Sequence, residues 1–251
     1  MFEITQNGEI TVLTMVHGKA NTMDVEFCEG IVAHFEELKK SDAKAVVLTG
    51  RGKIFSAGVD LVRALDGGAN YFRKFLPALS KAFEAIFFFP KPVVAAINGH
   101  AIAGGSVLAC CADRRIMATD AGRTGVPELA VGVPFPTMAI EVMRFSVSHC
   151  HFQEIILGAG TYAPAEALSR GLIDEVVEPH DLLKRALTVA EGFAAIRHNA
   201  FSVSKKQIRQ PVADRYQSES KRFEEEINGL WCAPEAFARI RDYVARIIKK
   251  A

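Results

Sequence analysis

Two short glycine-bearing segments hold the residues best placed to do chemistry. They are Ile54-Phe55-Ser56-Ala57-Gly58-Val59-Asp60 and Asn98-Gly99-His100-Ala101-Ile102-Ala103-Gly104-Gly105-Ser106. Each follows a short apolar run, 45–48 in the first case and 93–97 in the second, and each leads into a helix-compatible stretch. Small residues after a strand let the backbone approach a ligand closely and point bare N–H groups at it. Two such turns can aim two N–H donors at one oxygen, which is the requirement for stabilising an oxyanion. A strand, a glycine turn and a helix is also ordinary α/β punctuation. A dinucleotide reading has little support, because no G-x-G-x-x-G follows a strand and no Walker lysine pattern occurs. The third residue of interest is Glu128. Val126, Pro127, Leu129, Ala130 and Val131 surround it in sequence with apolar side chains. A carboxyl in such surroundings is desolvated and its pKa rises, which suits a proton shuttle near neutral pH.

Several elements must position these segments. Phe2-Glu3-Ile4-Thr5-Gln6 and Ile10-Thr11-Val12-Leu13-Thr14-Met15 alternate about Asn7-Gly8, a β-hairpin signal. Asp24 precedes a helical pattern over 25–40 with Phe27, Ile31, Phe35 and Leu38 on one face, and reads as its N-cap. Residues 61–69, with Gly67-Gly68 and few anchors, read as a mobile segment. A long helix follows over 71–89 and ends at Pro90 and Pro92. Further strands are expected at 115–118 and 173–177, and helices at 105–112, 134–145 and 149–157. The stretch 161–170 contains another, with Pro164 at its start and Gly171 at its exit. Beyond Pro179 the pattern is helical throughout, over 180–197, 199–210, 213–230 and 235–249. Strands alternating with helices in the first part imply a parallel sheet. The tail has apolar faces, such as Phe237, Ile240, Tyr243, Val244 and Ile247, that must pack on the core or on another subunit.

The chain has 251 residues, 49% hydrophobic and 24% charged, with a formal net charge of +1. It is long enough to bury a sizeable core. The charge balance leaves no electrostatic footprint for nucleic acid or an anionic membrane, so neither is expected as a partner. The five cysteines, Cys28, Cys110, Cys111, Cys150 and Cys232, are odd in number and form no C-x-x-C. No metal site or disulfide framework is expected, and a reducing cytoplasm fits best. The N-terminus has no secretory pattern, the apolar runs are too short to span a bilayer, and Lys249-Lys250-Ala251 is not a peroxisomal address.

Four motifs, in order, resemble the enoyl-CoA hydratase/isomerase (crotonase) superfamily. Phe55-Ser56-Ala57-Gly58-Val59-Asp60-Leu61 is similar to its F-x-A-G-x-D-L signature, and residues 91–101 to its K-P-V-I-A-A-I-x-G-x-A. Gly125-Val126-Pro127-Glu128 resembles G-x-P-E, and 166–177 resembles E-A-x-x-x-G-L-V-D-x-V. The resemblance implies an α/β fold, a spiral of ββα units, with a core over 1–195 and a C-terminal helical region over 196–251 that serves trimerisation. It implies a homotrimer or dimer of trimers and an acyl-CoA substrate, with coenzyme A entering as part of that substrate and no separate cofactor. It carries over an oxyanion hole from the backbone N–H groups of Ala57 and Gly104. Ala57, Gly58, Asp60, Leu61, Gly104, Val107 and Phe135 become the expected substrate-binding residues, and Glu128 the catalytic one.

The carboxylates then separate the family's reactions. Hydratases of the family place one glutamate three residues after the oxyanion glycine, where this chain has Val107, and a second in G-x-P-E, here Glu128. One carboxylate suffices to carry a proton from C2 to C4 of a 3-enoyl thioester, and family members resembling 3,2-enoyl-CoA isomerases have this pattern. Pro134 and Phe135 are expected to wall off water. Alternatives are a hydratase or other CoA-thioester lyase or hydrolase using Glu128 alone, or a non-catalytic CoA-binding member of the fold. Asp60 is expected to fix its turn and His100 to be packed. His149 and His151 are expected at the surface. Phe72, Phe75 and Leu79 line either the acyl tunnel or the core, and Lys19, Arg51 and Lys53 either meet CoA phosphates or are solvated.

Overall fold

A computed structural model describes residues 1–248, without the side chains of Ile247 and Ile248; the expectations for Ile247 and for Lys249-Lys250-Ala251 lie outside what is described. The chain opens with the hairpin β1 (Phe2–Asn7) and β2 (Ile10–Met15), paired antiparallel with Asn7 opposite Ile10. Helix α1 (Val25–Lys40) follows, capped by Asp24, whose carboxylate accepts the Phe27 N–H at 2.7 Å. Three similar units come next. Strands β3 (Ala45–Gly50) and β4 (Ile54–Ser56) lead into α2 (Leu61–Phe87); β5 (Val93–Ile97) and β6 (His100–Ile102) lead into α3 (Gly104–Cys110). Strands β7 (Arg114–Ala118) and β8 (Thr124–Gly125) lead into the single turn α4 (Glu128–Val131).

Each unit therefore gives one strand to each of two sheets. The larger sheet has the order β1-β2-β3-β5-β7-β10 and the smaller one β4-β6-β8-β9. The remaining members are β9 (Thr161–Tyr162), antiparallel to β8, and β10 (Glu175–Val177), parallel to β7. The inner pairs β3·β5 and β5·β7 are parallel, as their helical crossovers require. Buried on both faces, their strands read as unbroken apolar runs: every residue of β5 is buried. Helices α5 (Thr137–Ser146), α6 (Phe152–Gly158) and α7 (Pro164–Ser169) complete the core, and α8 (Leu182–Ala194), α9 (His198–Trp231) and α10 (Pro234–Ile248) close it. Among the described residues, no helix is long and apolar enough to cross a membrane.

Two expectations are corrected. Residues 61–69 are helical rather than mobile. Asp60 caps the new helix through the Arg63 N–H at 2.9 Å, Ala64 is fully buried, and Arg63 reaches Asp24 at 2.6 Å. Gly68, at φ 63° and ψ −160°, breaks α2 into two segments instead of ending it. Residues 199–230 form one helix that runs through Pro211. Proline removes one N–H and disfavours the helix interior, but Arg209 and Val212 on either side are buried and hold the helix to the core.

Candidate functional site

Three consecutive turns of the spiral deliver residues to one place. In the small sheet Ser56 is in register with Ala101, Ala101 with Thr124, and Ile102 with Gly125. The residues that follow these strand ends are 57–60, 103–104 and 127–128. Ala57, Val59, Asp60, Leu61, Ala103, Pro127 and Glu128 line one cavity of about 500 Å³. Its other wall comes from Trp231 at the end of α9 and from Tyr243 and Val244 of α10.

The turn backbones are tightly determined. Gly58 has φ 81°, and a Cβ there would lie 2.8 Å from the Ala103 Cβ and 3.1 Å from the Gly104 nitrogen. A Cβ on Gly105 would meet the Ser56 carbonyl oxygen at 2.2 Å. Both positions need glycine so that the two turns can touch. Ala103 itself has φ 54° and ψ −128°, a conformation that costs a non-glycine residue about 1–3 kcal/mol. A left-handed residue thus stands immediately before Val59 in one turn and before Gly104 in the other. Each turns the next peptide out of the line of its strand.

The hydrogen bonds show which amides remain available. The segment around residues 20–23 lies against the first turn. The Ala57 N–H donates to the Ala20 carbonyl at 3.0 Å, the Met23 N–H to the Gly58 carbonyl at 2.7 Å, and the Asp60 N–H to the Met23 carbonyl at 2.9 Å. An amide has one hydrogen, so Ala57 is not free to bind an oxyanion, and its expected donor role is corrected. Among the described residues, the N–H groups of Val59 and Gly104 have no acceptor. Val59 carries a free amide that sequence reading missed. A residue's type does not reveal a spare backbone hydrogen, although the glycine before Val59 was a usable signal.

Glu128 is 8% exposed, and its Oε2 has no hydrogen-bond partner. Burial pushes its carboxyl up to about 8. Tyr243 lines the same cavity, and its phenol is raised by burial and by the nearby Glu128 charge. Asp60 lines the cavity too, but its oxygens are engaged by the Arg63 N–H at 2.9 Å and the Thr22 hydroxyl at 3.3 Å. Among the described residues, Glu128 is therefore the cavity carboxyl with an unused oxygen.

The other expected site residues are placed as follows. Gly58 and Gly104 form the backs of the two turns, and Leu61 lines the cavity. Val107 is 1% exposed in the core and not in the cavity wall. Phe135 lines a separate cleft on the far side of α4, so it does not wall this cavity. His100, expected to be packed, is exposed at the cavity rim, where its Nδ1 accepts the Arg123 N–H at 3.1 Å. Phe72, Phe75 and Leu79 are core residues. His149 is exposed, and His151 bonds Glu154 at 3.0 Å. Arg51 pairs with Glu3, while Lys19 and Lys53 are exposed.

The comparisons agree with this geometry. The family described as enoyl-CoA hydratase/isomerase matches residues 5–229. A short-chain-enoyl-CoA hydratase of Clostridium acetobutylicum is 30% identical over 210 residues, covering 82% of this chain and 79% of that protein. The mitochondrial enoyl-CoA delta isomerase 1 of Rattus norvegicus is 27% identical over 216 residues, covering 84% and 75%. The crystal structure of human mitochondrial delta3-delta2-enoyl-CoA isomerase superposes with a TM-score of 0.94 at 22% identity, over 99% of this chain and 98% of that one, a likeness of fold. With a family match over most of its length and three spiral turns converging on one cavity, this chain belongs to the enoyl-CoA hydratase/isomerase family.

Proposed function

We propose that this protein is an enoyl-CoA isomerase that moves the double bond of a 3-enoyl thioester to the 2-position. The observation that carries the reading is the buried Glu128 carboxyl with a free oxygen, in a cavity lined also by Val59, whose amide is unpartnered, and by Ala103, which precedes the unpartnered amide of Gly104. In the sequence, Val107 holds the position where hydratases of the family have a further glutamate. The Glu128 carboxylate takes a proton from C2. The electrons move onto the thioester oxygen, giving a dienolate held by the Val59 and Gly104 N–H groups. Glu128 then returns the proton to C4, and the double bond comes to rest between C2 and C3. The two proposed donors are backbone groups fixed by their turns, and losing one such donor typically costs about 10²–10³ in rate. Positioned proton transfer contributes about 10²–10⁴.

Hydration of a 2-enoyl thioester is the second reading, favoured by the 30% identical hydratase. Such a reaction must orient and split a water, which one carboxylate does poorly. The assay is purified protein with 3-enoyl-CoA and, separately, 2-enoyl-CoA. We expect 2-enoyl-CoA from the first at a rate orders of magnitude above formation of 3-hydroxyacyl-CoA from the second, and loss of the isomerisation in Glu128→Gln. Efficient hydration would favour the second reading, and no turnover of either would favour a CoA-binding role without catalysis. The proposal extends to a reducing compartment, such as the cytoplasm, for the five free thiols. It also includes self-association into trimers or dimers of trimers.

A further inference from the structure

The cavity has an open end and a closed end. At the open end Val62 is 53% exposed, His100 is exposed, and Thr22 and Ile54 are half-buried. At the closed end Val131, Val133 and Trp231 are 6%, 2% and 2% exposed. Val59 and Ala103, beside the free amides, have intermediate exposure. A thioester held at those amides has its long polar portion toward solvent and its acyl chain toward the closed end. That end is apolar, and it is rigid. The Trp231 indole N–H donates to the Pro134 carbonyl at 2.8 Å, which fixes the ring. The ring also packs on Phe72 at 5.1 Å, and Phe72 on Phe237 of α10 at 5.5 Å.

We propose that Trp231 is the floor of the acyl pocket and restricts this protein to short and medium acyl thioesters. The inference rests on the acyl-CoA reading above and adds the substrate's size. A water takes about 30 Å³ of liquid volume, so at that density a cavity of about 500 Å³ holds roughly sixteen non-hydrogen atoms. The thioester and the adjoining atoms of the pantetheine arm take part of this, which leaves room for an acyl chain well short of sixteen carbons. A longer chain has to displace an indole that is hydrogen-bonded to Pro134 and packed on Phe72.

The test is calorimetric binding of saturated acyl-CoA esters from four to sixteen carbons, with free CoA as the reference. Saturated esters do not turn over, so the readout is independent of the reaction catalysed. Affinity should rise roughly tenfold for every two methylenes buried, and then stop rising or fall before sixteen carbons. Trp231→Leu should move that break outward by two carbons or more. Val133→Phe, which adds bulk to the buried lining of the same cavity, should move it inward. Circular dichroism checks that both variants fold, and Val133→Phe decides the matter if Trp231→Leu does not. Affinity that climbs steadily to sixteen carbons, or a break unmoved in the folded variants, overturns the inference and leaves the proposed reaction standing. Failure of every ester to bind better than free CoA overturns the thioester reading, and this inference with it.

Discussion

Glu128 and Val59 show what single residues contribute. The Glu128 carboxyl is pushed up to about 8 from its usual 4.5 because burial disfavours the charged form. Between those two values the folded chain holds a proton that the unfolded chain releases, so stability falls as pH rises through this window. Glu128→Gln has no such proton to lose. Urea denaturation at pH 5.5 and pH 8.5 should therefore show the variant gaining on wild type by a few kcal/mol, since each tenfold difference in proton affinity is worth about 1.4 kcal/mol. Equal pH dependence in the two proteins would contradict a raised pKa. Catalysis runs in the opposite sense, since the base must be ionised. The wild-type kcat/KM for 3-enoyl-CoA should climb with pH and level off above about 8, and a flat profile from pH 6 to 9 would remove Glu128 as the base. The donors can be tested just as directly. Replacing the Val59 peptide N–H by an ester oxygen should lower kcat about 10²–10³-fold, with a modest loss of stability because the Gly58 carbonyl that accepts the Met23 N–H becomes a weaker ester acceptor. The same replacement at Ala57 should cost about 1 kcal/mol of stability through the lost bond to Ala20 and spare most of the activity. The reverse outcome would restore Ala57 as the donor.

Among the elements, α9 decides whether the cavity is complete, because it ends in Trp231. It is anchored at Asp113, whose carboxylate takes the Lys205 Nζ at 2.6 Å, the Arg209 Nη2 at 2.8 Å and the Val93 N–H at 2.8 Å. Lys205 and Arg209 are 5% and 3% exposed, so removing the anion leaves two buried cations without their partner. Asp113→Asn should cost about 3–5 kcal/mol and weaken acyl-CoA binding as α9 loosens. A melting temperature within a degree or two of wild type would show that the anchor is not needed. No sequence signal marks this triad, since its members are brought together from distant parts of the chain. What the sequence did disclose was local. Asn7-Gly8 between alternating strands, Asp24 before an apolar stripe, and Pro164 with Gly171 around a short helix each act within a few residues, and the structure has them where they were expected. The start of α2 was misread because its anchors, Asp24 to Arg63 and the covering segment at 20–23, are long-range contacts. The break expected at Pro211 was overridden by tertiary burial on both sides. For the site, the two glycine turns and the apolar setting of Glu128 were legible. The choice of Val59 over Ala57 was not, because it depends on which amide hydrogen the segment at 20–23 has already taken. The structure also moved Phe135 to another cleft and His100 to the rim.

At the scale of the whole molecule, a cleft larger than the candidate site lies outside it. It is about 920 Å³, and its apolar lining includes Leu129, Phe135, Ile156, Leu157, Phe223 and Leu230. Leu157 is 69% exposed and Leu230 49%, side chains that a lone chain in water leaves uncovered. The polar side of the cleft is already ordered: buried Glu141 is held by Arg144 at 3.1 Å and Arg215 at 2.7 Å. A preformed apolar surface of this kind is where a second copy gains most from burial, because each leucine covered is worth about 1.5–3 kcal/mol. Self-association through this face would also bear on catalysis. Leu129, which lines the cleft, is next to Glu128 in the single turn α4, so a neighbour seated there would press on the element that carries the base. The double variant Leu157→Asp/Leu230→Asp should therefore run as a monomer in light scattering at micromolar concentration where wild type runs as a trimer or hexamer. It should keep its helical circular dichroism, because neither side chain contributes to the folded core, and its kcat should fall further than its acyl-CoA affinity. A wild-type monomer would refute assembly altogether. A variant that still assembles would show that the copies meet on another face.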